Sequence, residues 1–319
     1  MKHQLGAETG ASSSLTSPFD LNDDAAYRLW RDARLAAFPR NIGELVVPVG
    51  NLAQPNADER AAILDLLVRS NMAIYRAPSV FARDEALLRT GLISFLASFG
   101  LVSVENHRSA EQDGFVVIEV AQSPIKRAFV PYTTRPLNWH TDGYYNPPTA
   151  PIRAMLLHCV QAAIRGGENA LLDHEIAYIR LRDENPRWIA ALMHPEAMTI
   201  PAAIEEDGRE RPPSVGPVFM IDPTDGRLVM RYTARGRNIL WRDCADTRAA
   251  VSFLNAILTE EREPLALTLR LAPGEGLICN NVLHTRTGFE DGGGPRRRVL
   301  RARFTSCVGA TPLPGVRPT

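Results

Sequence analysis

The chain has 319 residues, 45% of them apolar and 23% charged, which supplies a sizeable buried core and excludes a disordered polymer. Lysine plus arginine and aspartate plus glutamate each number 36, so the formal charge is zero. A nucleic-acid binder or an acidic tail would carry a surplus of one sign. No apolar run approaches the roughly 18 residues of a membrane helix. The opening segment MKHQLGAETGASSSLTSPFD lacks the apolar centre of a secretory signal. Four scattered cysteines, Cys159, Cys244, Cys279 and Cys307, form no C-x-x-C pair and read as reduced thiols. The expectation is a cytoplasmic protein with a small-molecule substrate and neither nucleic-acid nor membrane partner. A homo-oligomer stays open.

Residues 1–18 are small and polar and read as a flexible tail. No linker-like stretch divides residues 19–319, so a single domain is expected there. Ala57 to Arg69 has helical apolar spacing behind Asn56 and Asp58, which reads as a capped helix. Met72 to Tyr75 looks like a short strand. Arg83 to Phe99 reads as a second helix stopped by Gly100. Beyond it, short apolar runs alternate with Gly, Pro and Asn breaks: Phe115–Val120, Arg153–Val160, Ala170–Leu172, Met198–Ile200, Pro217–Ile221, Leu228–Tyr232, Leu265–Leu271, Gly276–Cys279 and Val299–Phe304. Helices are expected at Glu175–Met193, broken near Pro186, and at Thr247–Thr259. The pattern predicts a mainly β fold with flanking helices, a sandwich or jelly roll.

The chemistry centres on Asn138-Trp139-His140-Thr141-Asp142-Gly143. Positions i and i+2 of a strand point the same way, so His140 and Asp142 can aim a nitrogen and an oxygen at one ion. Alone, such a pair is a weak signal. A rival, His194-Pro195-Glu196, ranks lower because Pro195 cannot donate a ladder hydrogen bond. Far downstream, His284 follows a strand and precedes an arginine-rich one, Arg296 to Phe304. Two histidines and one carboxylate leave three positions free, the arrangement of non-haem Fe(II) oxygenases. An arginine on the neighbouring strand can grip a carboxylate bidentately.

In these features the chain resembles the taurine dioxygenase/TfdA-like family of Fe(II)- and 2-oxoglutarate-dependent dioxygenases. The resemblance rests on the H-x-D pair, the later His and Arg, the stretch His284-Thr285-Arg286-Thr287-Gly288-Phe289 and the element Gly166-Gly167-Glu168-Asn169. It covers about residues 40 to 305. It implies a double-stranded β-helix (jelly-roll) core, Fe(II) held by His140, Asp142 and His284, 2-oxoglutarate as cosubstrate and O2 as oxidant. It also implies release of succinate and CO2 with oxidation, first of all hydroxylation, of a small carboxylate-bearing or amino-acid-like metabolite. Asn169 stands where the family's Thr touches 2-oxoglutarate, and it can still donate a hydrogen bond.

Two arginines compete for the far carboxylate of 2-oxoglutarate. The family's Arg-x-x-x-Arg spacing fits Arg297 with Arg301, the latter meeting substrate. Period-2 alternation instead puts Arg298, Leu300, Ala302 and Phe304 on one face, and makes Arg298 the ligand if that face lines the barrel. Arg231, Arg235 and Arg237 lie in one short stretch; one of them is a candidate anchor for a substrate anion, against the plainer reading of a solvated basic edge. Trp139 and Tyr144 flank the H-x-D pair as candidate pocket walls, with core packing the alternative. His158 sits in a buried run and reads as a core histidine. Three protein ligands plus water also suit zinc, so a non-redox zinc hydrolase or isomerase on a cupin-like barrel is the alternative. A second-carboxylate clamp has no use in that chemistry.

Overall fold

The structure is a computed structural model. It describes residues 17–78, 84–105, 109–205, 208–235, 239–259 and 263–309. The tail expected over residues 1–18 lies outside the described residues except for Ser17 and Pro18.

The principal helices are α1 (Asp24–Ala37), α2 (Ala57–Ser70), α3 (Glu85–Ala97), α4 (His174–Glu184), α5 (Pro186–Leu192) and α6 (Ala245–Thr259). Their ends are set by local chemistry. At the start of α2 the Asn56 side chain accepts the Glu59 N–H, and the Glu59 carboxylate accepts the Asn56 N–H. This reciprocal box satisfies two donors that a helix start leaves bare. Asn71 then ends the helix in the left-handed region at φ 55°. Asn185 closes α4 and opens α5 by accepting the Arg187 N–H, so the segment expected to break near Pro186 divides into two helices. Helix α1 is amphipathic, with Tyr27, Trp30 and Leu35 on the face turned toward the core. Rings anchor that face: Tyr27 and Trp30 meet Tyr178 of α4, and the Arg182 guanidinium lies 4.0 Å from the Tyr27 ring centre.

The strands that build the site are β1 (Val46–Pro48), β2 (Met72–Arg76), β3 (Val116–Ile118), β4 (Leu137–His140), β5 (Ala154–Gln161), β6 (Asn169–Leu172), β7 (Leu267–Leu269), β8 (Glu275–Cys279), β9 (Leu283–Arg286) and β10 (Arg298–Phe304). They form a six-stranded sheet in the order β1-β2-β8-β5-β10-β3 and a four-stranded sheet in the order β7-β6-β9-β4. Only β1 and β2 run parallel in these two sheets. The two sheets are the layers of a jelly roll, and the chain is mixed α/β because helices cover the larger one.

The central strands β5 and β8 are buried on both faces, which is why they read as continuous apolar runs rather than alternating ones. On the helix side of the larger sheet Tyr75 packs on Phe95 of α3 and stacks on His158, whose Nδ1 is 2.9 Å from the Tyr75 hydroxyl. The core reading of His158 therefore matches its surroundings. Burial lowers its imidazole to about 4. The folded value lies below that of the unfolded chain, so acid protonates the unfolded chain first. Stability is full above about pH 6.5 and declines as the pH falls toward 4, by roughly 3 kcal/mol from this residue. In urea melts between pH 7.5 and 4, the gap between wild type and His158→Gln is expected to narrow by that amount. A gap independent of pH would refute the assignment.

Candidate metal centre

The pairing of β9 with β4 sets His284 directly opposite His140, with ring centres 4.2 Å apart. Asp142 follows just past the end of β4. One ligand-capable atom from each of His140, Asp142 and His284 lies within 4.8 Å of the others. Both histidines use the same device. Nδ1 of His140 meets the Asn138 carbonyl at 2.8 Å, and Nδ1 of His284 meets the Val282 carbonyl at 3.0 Å. A carbonyl only accepts, so Nδ1 carries the proton and Nε2 is bare for a metal. Desolvation, aided by the facing His284 ring, lowers His140 to about 3, and desolvation lowers His284 as well. Both rings are neutral at pH 7, the ligating form.

Burial works to raise the Asp142 carboxyl, but the Arg301 and Arg303 guanidiniums overcome it and hold the group well below the usual carboxylate range. Oδ1 takes both arginines, at 3.2 and 3.8 Å. Oδ2 is buried with no hydrogen-bond partner. A bare buried carboxylate oxygen beside two bare imidazole nitrogens is a donor set that a divalent transition metal completes.

Asn281 fixes the backbone of Asp142. Its Oδ1 accepts the Asp142 N–H at 2.8 Å, and its Nδ2 donates to the Asp142 and Ile152 carbonyls at 3.0 and 2.7 Å. Asn281 sits at φ 50°, a left-handed turn just before β9, which brings a distant asparagine beside the H-x-D loop. Gly143 has φ +66°, and a Cβ there would fall 2.3 Å from Ile152 Cγ1, so only glycine lets the chain turn directly after Asp142. Nothing in the sequence marks Asn281 for this role. The partnership spans 139 residues and leaves no local pattern. Asn281→Ala is expected to weaken Fe(II) binding by about 10- to 100-fold with the ligands intact. Metal titration of the apoprotein checks this, and an unchanged affinity would count against the positioning role.

A cavity of about 320 Å³ opens over His140 and Asp142. His140, Asp142, Tyr144, Tyr145, Arg301 and Arg303 line it, as do Arg211 and Arg235 nearer the surface. Trp139 does not. Adjacent strand residues point to opposite faces, so with His140 turned inward Trp139 faces a second cavity beside α6. Arg231 does not line the cavity either. It is buried and donates to the carbonyls of Met198 and Gly216 and to the Ser214 hydroxyl, which makes it a clip for neighbouring loops. Arg237 lies outside the described residues. In the rival motif, His194 Nδ1 accepts the Glu196 N–H of its own turn.

The two candidate clamps separate clearly. Arg298 turns to the helix side and pairs with Glu85 at the start of α3 and with Glu119. The apolar face of β10 thus packs under helices, and its opposite face, with Arg301 and Arg303, looks into the barrel. Leu300, Ala302 and Phe304 alternate with Arg301 and Arg303 as a period of two requires, but both faces are buried, and sequence does not tell which is the inside. Arg297 lies in a narrow cleft with Gly167 and Asn169, apart from the cavity that His140 and Asp142 line. Its guanidinium stands 5.1 Å from the Phe289 ring centre, and its Nη1 is buried with no partner. Asn169 lines the same cleft and donates to the Thr285 carbonyl at 2.9 Å. A buried guanidinium with a free donor fits a carboxylate as the bare oxygen of Asp142 fits a metal.

A jelly roll that gathers two histidines and an aspartate beside a cluster of arginines defines the class of non-haem iron, 2-oxoglutarate-dependent oxygenases. The taurine catabolism dioxygenase TauD, TfdA family matches residues 38–303, and the chain belongs to that family. Fe(II) and 2-oxoglutarate are accordingly its cofactor and cosubstrate, which sets aside the zinc hydrolase alternative. Among curated relatives, a uridine-5'-phosphate dioxygenase of an Amycolatopsis species is 33% identical over 189 residues, 56% of this chain and 64% of the relative. One from a Streptomyces species is 31% identical over 180 residues, 55% of this chain and 64% of the relative. The chain thus spans less than two thirds of either relative's length. Two solved structures share the fold. Asparagine oxygenase in complex with Fe(II), 2S,3S-3-hydroxyasparagine and succinate has a TM-score of 0.55 at 18% identity, over 93% of this chain and 87% of that one. AAD-2 in complex with Mn(II) and N-oxalylglycine has a TM-score of 0.54 at 16% identity, over 86% of this chain and 96% of that one. No helix among the described residues is long and apolar enough to cross a membrane.

Proposed function

We propose that the protein is an Fe(II)- and 2-oxoglutarate-dependent dioxygenase that hydroxylates an unactivated C–H of a small anionic metabolite. A nucleoside 5'-phosphate is the first candidate. The observation that carries the reading is the convergence of His140, Asp142 and His284, the first two of which line an arginine-rich cavity. Bound iron and cosubstrate supply oxidising power from O2, the cosubstrate leaving as succinate and CO2. The protein's own residues do the rest. His140, Asp142 and His284 hold the metal. Arg301 and Arg303 keep the Asp142 carboxylate charged and turned, and Arg301 presents its remaining donors to the substrate cavity. Arg297, with Asn169 beside it, takes the far carboxylate of the cosubstrate. Tyr144 and Tyr145 wall the cavity and exclude water.

The sequence reading favoured a carboxylate-bearing or amino-acid-like substrate. The names of the two curated relatives favour a nucleotide, and the cavity volume lies at the lower end of the about 300–1,000 Å³ range of small-molecule sites. Succinate release with Fe(II) and 2-oxoglutarate, over a panel of nucleoside phosphates, amino acids and carboxylates, tests the reading. Turnover stimulated by uridine-5'-phosphate is expected. Stimulation by amino acids alone would return the substrate to the carboxylate class, and none by any member without iron dependence would defeat the reading.

A further inference from the structure

Most polar groups around the cavity are already committed. Arg301 and Arg303 are paired to Asp142, Arg303 also to Glu105, and Arg303 donates to the Tyr145 hydroxyl at 3.0 Å. Near the surface the situation differs. Tyr144 is only 9% exposed and lines the cavity, yet its hydroxyl has no hydrogen-bond partner among the described residues. Its ring is fixed edge-on against the His140 ring at 6.4 Å and the Tyr145 ring at 5.2 Å. The Arg235 guanidinium lies 5.7 Å from the Tyr144 ring centre, and among the described residues no carboxylate pairs with it. Arg211 lies 5.5 Å from the Tyr145 ring centre and is posed by Glu205 at 2.9 Å and the Pro201 carbonyl at 3.0 Å.

We infer that Tyr144, Arg235 and Arg211 form a phosphate subsite at the outer end of the substrate cavity. The inference rests on the proposed dioxygenase reading and gives its substrate a class. A carboxylate offers two oxygens in one plane and is satisfied by one guanidinium fork. Two separate guanidiniums and a phenolic donor match the three terminal oxygens and double charge of a phosphate monoester. Charge points the same way: Arg211, Arg235, Arg301 and Arg303 meet the carboxylates of Asp142, Glu205 and Glu105, which leaves one positive charge over. The surplus charge sits at Arg235, because Arg301 and Arg303 are charge-paired with Asp142 and Glu105 and Arg211 with Glu205. An anion held there is set apart from the metal ligands by the Tyr144 ring, which leaves the body of the substrate to lie over the triad. Tyr144 thus acts in specificity, not only as a wall.

The test is calorimetric binding to protein loaded with Mn(II) and 2-oxoglutarate, so that no turnover intervenes. The probes are uridine-5'-phosphate, uridine, ribose 5-phosphate and inorganic phosphate at constant ionic strength. Wild type is expected to prefer uridine-5'-phosphate over uridine, and Arg235→Ala and Tyr144→Phe are each expected to cut that preference by about tenfold or more. Arg235→Lys should restore part of it, and uridine affinity should stay put in all variants. Equal binding of uridine and its phosphate would overturn the subsite while leaving the nucleoside reading intact. Binding of ribose 5-phosphate or phosphate that depends on Arg235 and Tyr144, without binding of either uridine compound, would keep the subsite and defeat the uridine reading. A preference untouched by both variants, or no binding of any phosphate, would overturn the subsite.

Discussion

Asp142→Ala is expected to abolish stoichiometric Fe(II) binding and to lower succinate formation by more than about 100-fold. Loss of groups that merely orient a ligand costs about 10- to 100-fold, so loss of the only anionic ligand costs more. The substitution also frees two buried guanidiniums. Arg303 keeps Glu105 and Tyr145, but Arg301 has Asp142 as its only ion-pair partner among the described residues. Breaking one partner of a buried pair costs about 3–5 kcal/mol, so the apoprotein should lose stability as well as metal. Asp142→Asn keeps the shape and removes the charge, and it should lose metal while sparing part of the stability. Metal content after desalting, together with urea melts of the apoproteins, reads both effects. A variant that kept one iron per chain would remove Asp142 from the ligand set.

Arg297→Ala should raise the 2-oxoglutarate requirement by about 30-fold or more, since truncating one side of a buried charged hydrogen-bonded pair costs about 2–5 kcal/mol. Arg298→Ala should leave that requirement unchanged and cost less than about 1 kcal/mol of stability, because its pairs with Glu85 and Glu119 are partly exposed. Anaerobic titration with 2-oxoglutarate, followed through the weak visible band of the iron chelate, separates the two without substrate. The reverse ranking would move the clamp to Arg298 and require the strand to present its other face.

The parts of the site legible in the sequence are those with short-range grammar. His140 and Asp142 are two apart at the end of one strand, and His284 stands before an arginine-rich strand, so a period of two and chain order suffice to expect the triad. The helices at Ala57 and Pro186 carry their caps in the text as Asn56 with Glu59 and as Asn185. What stayed hidden depends on contacts between distant segments. Asn281 becomes a support for Asp142 only when the sheets close. Arg231 looks like a substrate anchor in a basic stretch, and only burial beneath neighbouring carbonyls reveals its structural use. In helix α1 the stripe of Tyr27, Trp30 and Leu35 is short and shares its face with Arg31 and Arg34, so its contact with Tyr178 is visible only in the fold.

The two faces of β10 divide labour in a way that bears on how such a protein changes over time. Leu300, Ala302 and Phe304 anchor the strand beneath the helical layer, while Arg301 and Arg303 serve the opposite side. Exchanges at the mouth of the cavity, at positions such as Arg211 and Arg235, disturb neither set. New reactants can therefore be tried there while iron chemistry and scaffold cohesion continue undisturbed, one mutation at a time.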